Sequence, residues 1–144
     1  MSAVVLDNSI VLCWCLADEV DPLAHRALRL TIEQGAVAPR LWRYELWNAL
    51  LVNERRGRLE AADTRAVFLD LAQMRIELDA DHDEAKVLDL AREHRLTAYD
   101  ASYLEVARRR GLPLATLDRR LRDAAVAEGA ALFGNAEAAG IGSR

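Results

Sequence analysis

The sequence predicts an α/β fold, a three-layer α/β/α sandwich around a short, mostly parallel central sheet. Short apolar runs rich in Val, Leu and Ala, such as Ala3-Val4-Val5-Leu6 and Leu114-Ala115-Thr116-Leu117, alternate along the chain with segments of helical periodicity. Helix start and stop signals separate those segments cleanly. A length of 144 residues, with 52% hydrophobic and 29% charged side chains, is one domain's worth of chain with an ordinary core.

The elements follow in order. Residues 3–6 form a buried strand that stops at Asp7-Asn8-Ser9. Asp21-Pro22 supplies an N-cap with proline at the first helical position, and Gly35 closes that helix. Ala36-Val37-Ala38 is a second strand ended by Pro39, and a helix runs from about Leu41 to Arg56 with Gly57 as its stop. A helix near Asp63 to Gln73 precedes a strand over Met74 to Leu78. Between Asp83 and Arg95 the pattern is helical, with Ala85, Leu88 and Ala91 expected on the inner face. Thr97 to Asp100 has capping-box spacing and opens a helix that ends at Gly111. Residues 113–117 form a strand, 119–128 a helix and 130–133 a last strand. Residues 1–133 are therefore expected to be the domain, and the small, Gly-rich residues 134–144 a flexible C-terminal tail.

A net charge of −4 excludes a protein that holds nucleic acid by bulk positive field, though not one that does so at a local site. Cys13 and Cys15 would point to nearly opposite faces of a helix, so they read as small buried hydrophobes in a reducing compartment. The first residues carry no basic cluster and the apolar stretch from Ile10 to Ala17 is too short to span a bilayer, which predicts a soluble cytoplasmic protein.

In open parallel sheets, ligands bind beyond the carboxyl ends of the strands. Asp7 and Asp118 each follow a strand, Asp100 lies in the opening turn of a helix, and Glu45 in the first turns of the helix after Pro39. Each has a bland reading as a turn, cap or helix-dipole residue. Together they point to a cluster, since caps have no need to converge. Two carboxylates about 5 Å apart repel by roughly 3 kcal/mol at an effective dielectric of 20, so such a group takes up protons or binds a cation. Ligands that are all oxygen suit Mg²⁺ or Mn²⁺. Zinc is disfavoured because His25, His82 and His94 lack ligand spacing, and His94 late in a helix suits its dipole. Of the arginines, Arg119 and Arg120 beside Asp118 are the pair expected near substrate phosphate. A phosphatase with an aspartate two residues after its nucleophile is disfavoured by Ser9, and a phosphoacceptor receiver by Lys86, the single lysine, inside a helical pattern.

Val4-Val5-Leu6-Asp7-Asn8-Ser9-Ile10 with Trp14 and Glu19 resembles the opening of PIN-domain nucleases, in particular VapC-type toxins of type II toxin–antitoxin pairs. Pro39-Arg40-Leu41 through Glu45, Asn48-Ala49-Leu50 and Arg55 to Leu59 is similar to that family's second signature. Leu96 to Leu104 resembles the third, and Leu114 to Leu121 the fourth. Carried over residue by residue, the family's acidic quartet falls on Asp7, Glu45, Asp100 and Asp118. Ser9 and Thr116 match its supporting hydroxyls, and Asn48 a polar position one turn after Glu45.

The resemblance implies an endoribonuclease that depends on one or two Mg²⁺ or Mn²⁺ ions and hydrolyses RNA phosphodiester bonds. It implies a homodimer restrained by a cognate antitoxin whose C-terminal segment fills the acidic groove. A non-catalytic module that binds RNA or a partner, and a housekeeping RNA-processing nuclease, are the alternatives.

Overall fold

Val4, Val5 and Leu6 are wholly buried, and Val5–Leu6 form the central strand β1. Branched and apolar side chains suit a strand covered on both faces. The computed structural model describes residues 2–134. Parallel to β1 it places β2 (Ala36–Pro39), β3 (Ile76–Asp79) and β4 (Leu114–Ala115), in the order β3-β2-β1-β4. Val5 is in register with Val37 on one side and with Leu114 on the other. The progression of strands reverses between β1 and β4, and the crevice at such a reversal is where open sheets bind ligands.

Among the described residues seven helices flank the strands. α1 (Asn8–Cys15) and α2 (Pro22–Gln34) follow β1, and α3 (Trp42–Arg55) and α4 (Ala61–Ala72) follow β2. α5 (Glu84–His94) and α6 (Ala98–Arg110) follow β3, and α7 (Arg119–Ala127) follows β4. Right-handed crossovers put α1 to α4 on one face and α5 and α6 on the other. The packing agrees: α1 lies against α2 and α3, and α6 lies against α5, β1, β2 and β4. Among the described residues no helix is long and apolar enough to cross a membrane.

Sequence signals placed most ends correctly. The Asp21 carboxylate accepts from the Leu23 and Ala24 amides and opens α2, and Gly111 closes α6 with φ 64°, which glycine adopts without strain.

Three expectations need correction. Helix α1 was not expected. Its sequence, NSIVLCWC, is apolar on all sides, so it lacks the two-sided periodicity that marks a helix. The inner face of α5 is Val87, Leu90, Ala91 and His94; Leu88 is 47% exposed and Ala85 also faces solvent. The four inner positions satisfy i, i+3, i+4, i+7, whereas Ala85, Leu88 and Ala91 trace a partial stripe. The expected strand over 130–133 is a single bridge, Leu132 with Leu114, because two-residue β4 offers no further ladder positions. The expected tail lies outside the described residues beyond Gly134.

Candidate functional site

Asp7 leaves the end of β1 and stands at the N-cap position of α1, but its side chain does not cap the helix. The Ser9 hydroxyl donates to Asp7 Oδ2 at 2.6 Å and the Thr116 hydroxyl to the same oxygen at 2.7 Å. Each hydroxyl has one proton, so both are committed to Asp7. Their lone pairs then accept the Leu117 amide (at Ser9, 3.0 Å) and the Asp118 amide (at Thr116, 3.0 Å). The clip joins the end of β1 to the end of β4 and fixes the Asp7 carboxylate, which is 4% exposed.

The other three acids come from three further helices. Glu45 lies in the first turn of α3, where the Tyr103 hydroxyl donates to its Oε1 at 2.5 Å. Asp100 lies in the first turn of α6, its amide donating to Thr97 Oγ1 at 3.0 Å. Asp118 is the N-cap of α7 and accepts from the Arg120 and Leu121 amides. The capping reading is therefore true of Asp118 and untrue of Asp7.

Asp7, Glu45 and Asp100 each feel the charge of another acid of the quartet. Burial raises the Asp7 carboxyl above the ordinary range, and the charge of Asp118 adds to it. Burial likewise raises Glu45, with Asp7 and Asp100 contributing. Asp100 is raised by burial and then by Asp7 and Asp118, with Arg120 partly offsetting them. Among the described residues no ion pair engages any of the four.

Asp79, the acid that ends β3, shows the contrast. Its carboxylate is buried, which alone would raise it. Hydrogen bonds from Arg109 and Arg110, each at 2.7 Å, and from the Asp81 amide instead hold it at about 2. Arg108 pairs with Glu128 and Arg58 with Asp18 and Glu19. Elsewhere guanidinium groups pair directly with acids, whereas on the quartet Arg120 acts on Asp100 without forming an ion pair.

An all-oxygen donor set of mutually repelling carboxylates fits a hard divalent cation. The quartet is not drawn into one tight cage. Among the described residues, the group whose candidate ligand atoms all lie within 4.8 Å of one another is Glu93, His94 and Glu128. That group explains itself without an ion: Glu128 takes His94 Nε2 on one oxygen at 2.6 Å and Arg108 on the other. For the quartet, Mg²⁺ ordinarily takes one or two carboxylates directly and reaches others through its waters, which suits a looser spacing.

Arg119 and Arg120 are exposed and line, with Asp100, Asp118 and Asp123, an open depression of about 540 Å³. Asn48 lies on α3 one turn after Glu45. It is exposed, opposite the buried stripe of Trp42, Leu46, Leu50 and Asn53 on α3. Cys13 is buried and Cys15 half-buried; burial pushes the Cys15 thiol up to about 12, as expected of inert side chains.

Sequence reasoning missed Tyr103. Its signal was its place on α6, three residues after Asp100, which puts both side chains on one helical face.

Residues 4–127 match the PIN domain family, and the chain belongs to that family. Among named proteins it is similar to Ribonuclease VapC3 of Pyrobaculum aerophilum, 32% identical over 123 residues, 83% of this chain and 92% of that protein. It is also similar to Exonuclease VapC9 of the same organism, 44% identical over 79 residues. That second match spans 54% of this chain and 58% of the relative's length. The crystal structure of PAE2754 from Pyrobaculum aerophilum has a TM-score of 0.65 and 31% identity to this chain, covering 85% of it and 86% of that chain.

Proposed function

We propose that the chain is a Mg²⁺- or Mn²⁺-dependent endoribonuclease and the toxin of a toxin–antitoxin pair. One observation carries the reading: near the ends of β1 and β4, Asp7, Glu45 and Asp100 are each raised by the charge of another acid of the quartet, and among the described residues no ion pair engages any of the four. The names of the two relatives, a ribonuclease and an exonuclease, support nuclease chemistry.

In this reading Asp7, Asp100 and Asp118 hold one or two cations, and Glu45 joins them directly or through a water. When bound, the ion supplies Lewis acidity, lowering the pKa of a water and offsetting charge on the scissile phosphate. Ser9 and Thr116 keep the Asp7 carboxylate in one orientation, which is how partners behind a ligand tune a metal site. Arg119 and Arg120 take neighbouring phosphates. An open depression beside Asp100 and Asp118 leaves room for the interior of a strand, which favours internal cleavage over digestion from an end. A cytoplasmic homodimer of domain 1–133, restrained by an antitoxin segment in the acidic groove, completes the proposal.

Purified protein is incubated with total RNA and with a circular RNA in Mn²⁺, with and without EDTA. Discrete, chelator-sensitive fragments from both, lost in Asp100→Asn, are the expected result. A circular RNA left intact beside digested linear RNA overturns the endonuclease assignment. Retarded but uncut RNA in every lane replaces the enzyme with a binding module.

A further inference from the structure

Tyr103 is wholly buried, yet it carries a hydroxyl that apolar packing does not require. A buried phenol needs a partner for its proton, and a phenylalanine would fill the same space without that demand. The partner is Glu45 Oε1, 2.5 Å away and 58 positions distant in the chain. One hydrogen bond therefore ties the middle of α6 to the first turn of α3.

The phenol has a single proton and gives it to Oε1, which holds the Glu45 carboxylate in one orientation while leaving it lone pairs for a cation or its water. The tyrosine's own ionisation is pushed far above its ordinary value by burial and by the Glu45 charge, so it remains a donor at all ordinary pH. We infer that Tyr103 is a positioning residue: its hydroxyl fixes the Glu45 carboxylate so that Glu45 contributes to divalent-cation binding. The inference rests on the metal site of the proposed function and assigns it a residue that touches neither ion nor RNA.

The test is a titration of free Mn²⁺, followed by electron paramagnetic resonance, against the full chain and its variants. These are Tyr103→Phe, Glu45→Gln, the double variant and Asp100→Asn, each with thermal unfolding in EDTA beside it. Tyr103→Phe is expected to fold and to bind Mn²⁺ about 10- to 100-fold more weakly, the usual loss when a partner behind a metal ligand is removed. The double variant is expected to bind no more weakly than Glu45→Gln alone, because the hydroxyl acts through that carboxylate.

Unchanged affinity in Tyr103→Phe overturns the inference. So does a loss that recurs in full on the Glu45→Gln background, which marks Tyr103 as packing. If binding depends on Asp100 but not on Tyr103, the positioning role alone fails. If the unmutated chain binds no Mn²⁺, the proposed function fails and takes this role with it.

A measurement without substitution accompanies the titration. The chain has three tyrosines, of which Tyr44 and Tyr99 are 68% and 58% exposed. In protein carrying 3-fluorotyrosine, Mg²⁺ is expected to move the buried ¹⁹F resonance, and a resonance that stays still contradicts the inference.

Discussion

Asp7 combines near-complete burial with two hydroxyl donors on one oxygen, and burial wins: its carboxyl titrates above the ordinary value. A carboxyl raised by folding binds its proton more tightly in the folded chain than in the unfolded one. Stability is then greatest while the group is protonated in both states and falls as pH rises through the raised range. In EDTA, Asp7→Asn is expected to gain stability over the unmutated chain as pH climbs from about the ordinary carboxyl value towards neutrality. Urea unfolding at a series of pH values measures it. A gap that is constant or shrinks with rising pH contradicts the assignment. At this scale the acids were legible because each sits at a strand end or a helix start. Ser9 and Thr116 were legible through the family motifs. Tyr103 was not, because a buried aromatic at helical spacing looks like core until its hydroxyl partner is visible. Asn48, matched through the same motifs, is exposed on α3 one turn after Glu45.

Helix α6 is the element on which most of the site depends. Its first turn presents Asp100, its middle presents Tyr103, and its last turn is pinned to β3 through Arg109 and Arg110 on Asp79. Removing Arg109 leaves a fully buried carboxylate with Arg110 as its remaining cation, and leaves Glu105 without its i+4 partner. The expected cost of Arg109→Ala is about 2–3 kcal/mol, below the full penalty of an orphaned buried charge because Arg110 remains. Chemical denaturation checks the figure, and cleavage per folded molecule is expected to persist because the site's acids are untouched. A stability change under about 0.5 kcal/mol, the range of an ordinary surface substitution, contradicts the pinning role. The arginine run at residues 108–110 reads in sequence as a solvated helix end. Its actual partners, Glu128, Glu105, Asp79 and Glu77, come partly from other elements, and no local pattern announces them. Helix caps, which are local, were read well; α1 and the inner face of α5 depended on tertiary context and were not.

The whole molecule carries a net charge of −4, yet its proposed substrate is a polyanion. Association then rests on a few local cations and the bound metal instead of a general positive field. If Arg119 and Arg120 are two phosphate contacts, replacing both by alanine is expected to flatten the logarithmic salt dependence of single-stranded RNA binding by about 1.4, at 0.7 per contact. Filter binding at several salt concentrations measures that slope, and an unchanged slope removes the pair from the RNA path. The fold class was legible from alternating elements alone, because parallel sheets force a crossover between strands. Which helices cover which face followed from handedness, not from any residue.

The central claim is that Asp7, Glu45, Asp100 and Asp118 form a divalent-cation site. Crystals soaked in Mn²⁺ and measured at the manganese absorption edge test it most directly. An anomalous peak bounded by Asp7, Asp100 and Asp118, with Glu45 beside it, is the predicted result. Manganese found instead at Glu93, His94 and Glu128, or at neither place, would contradict it.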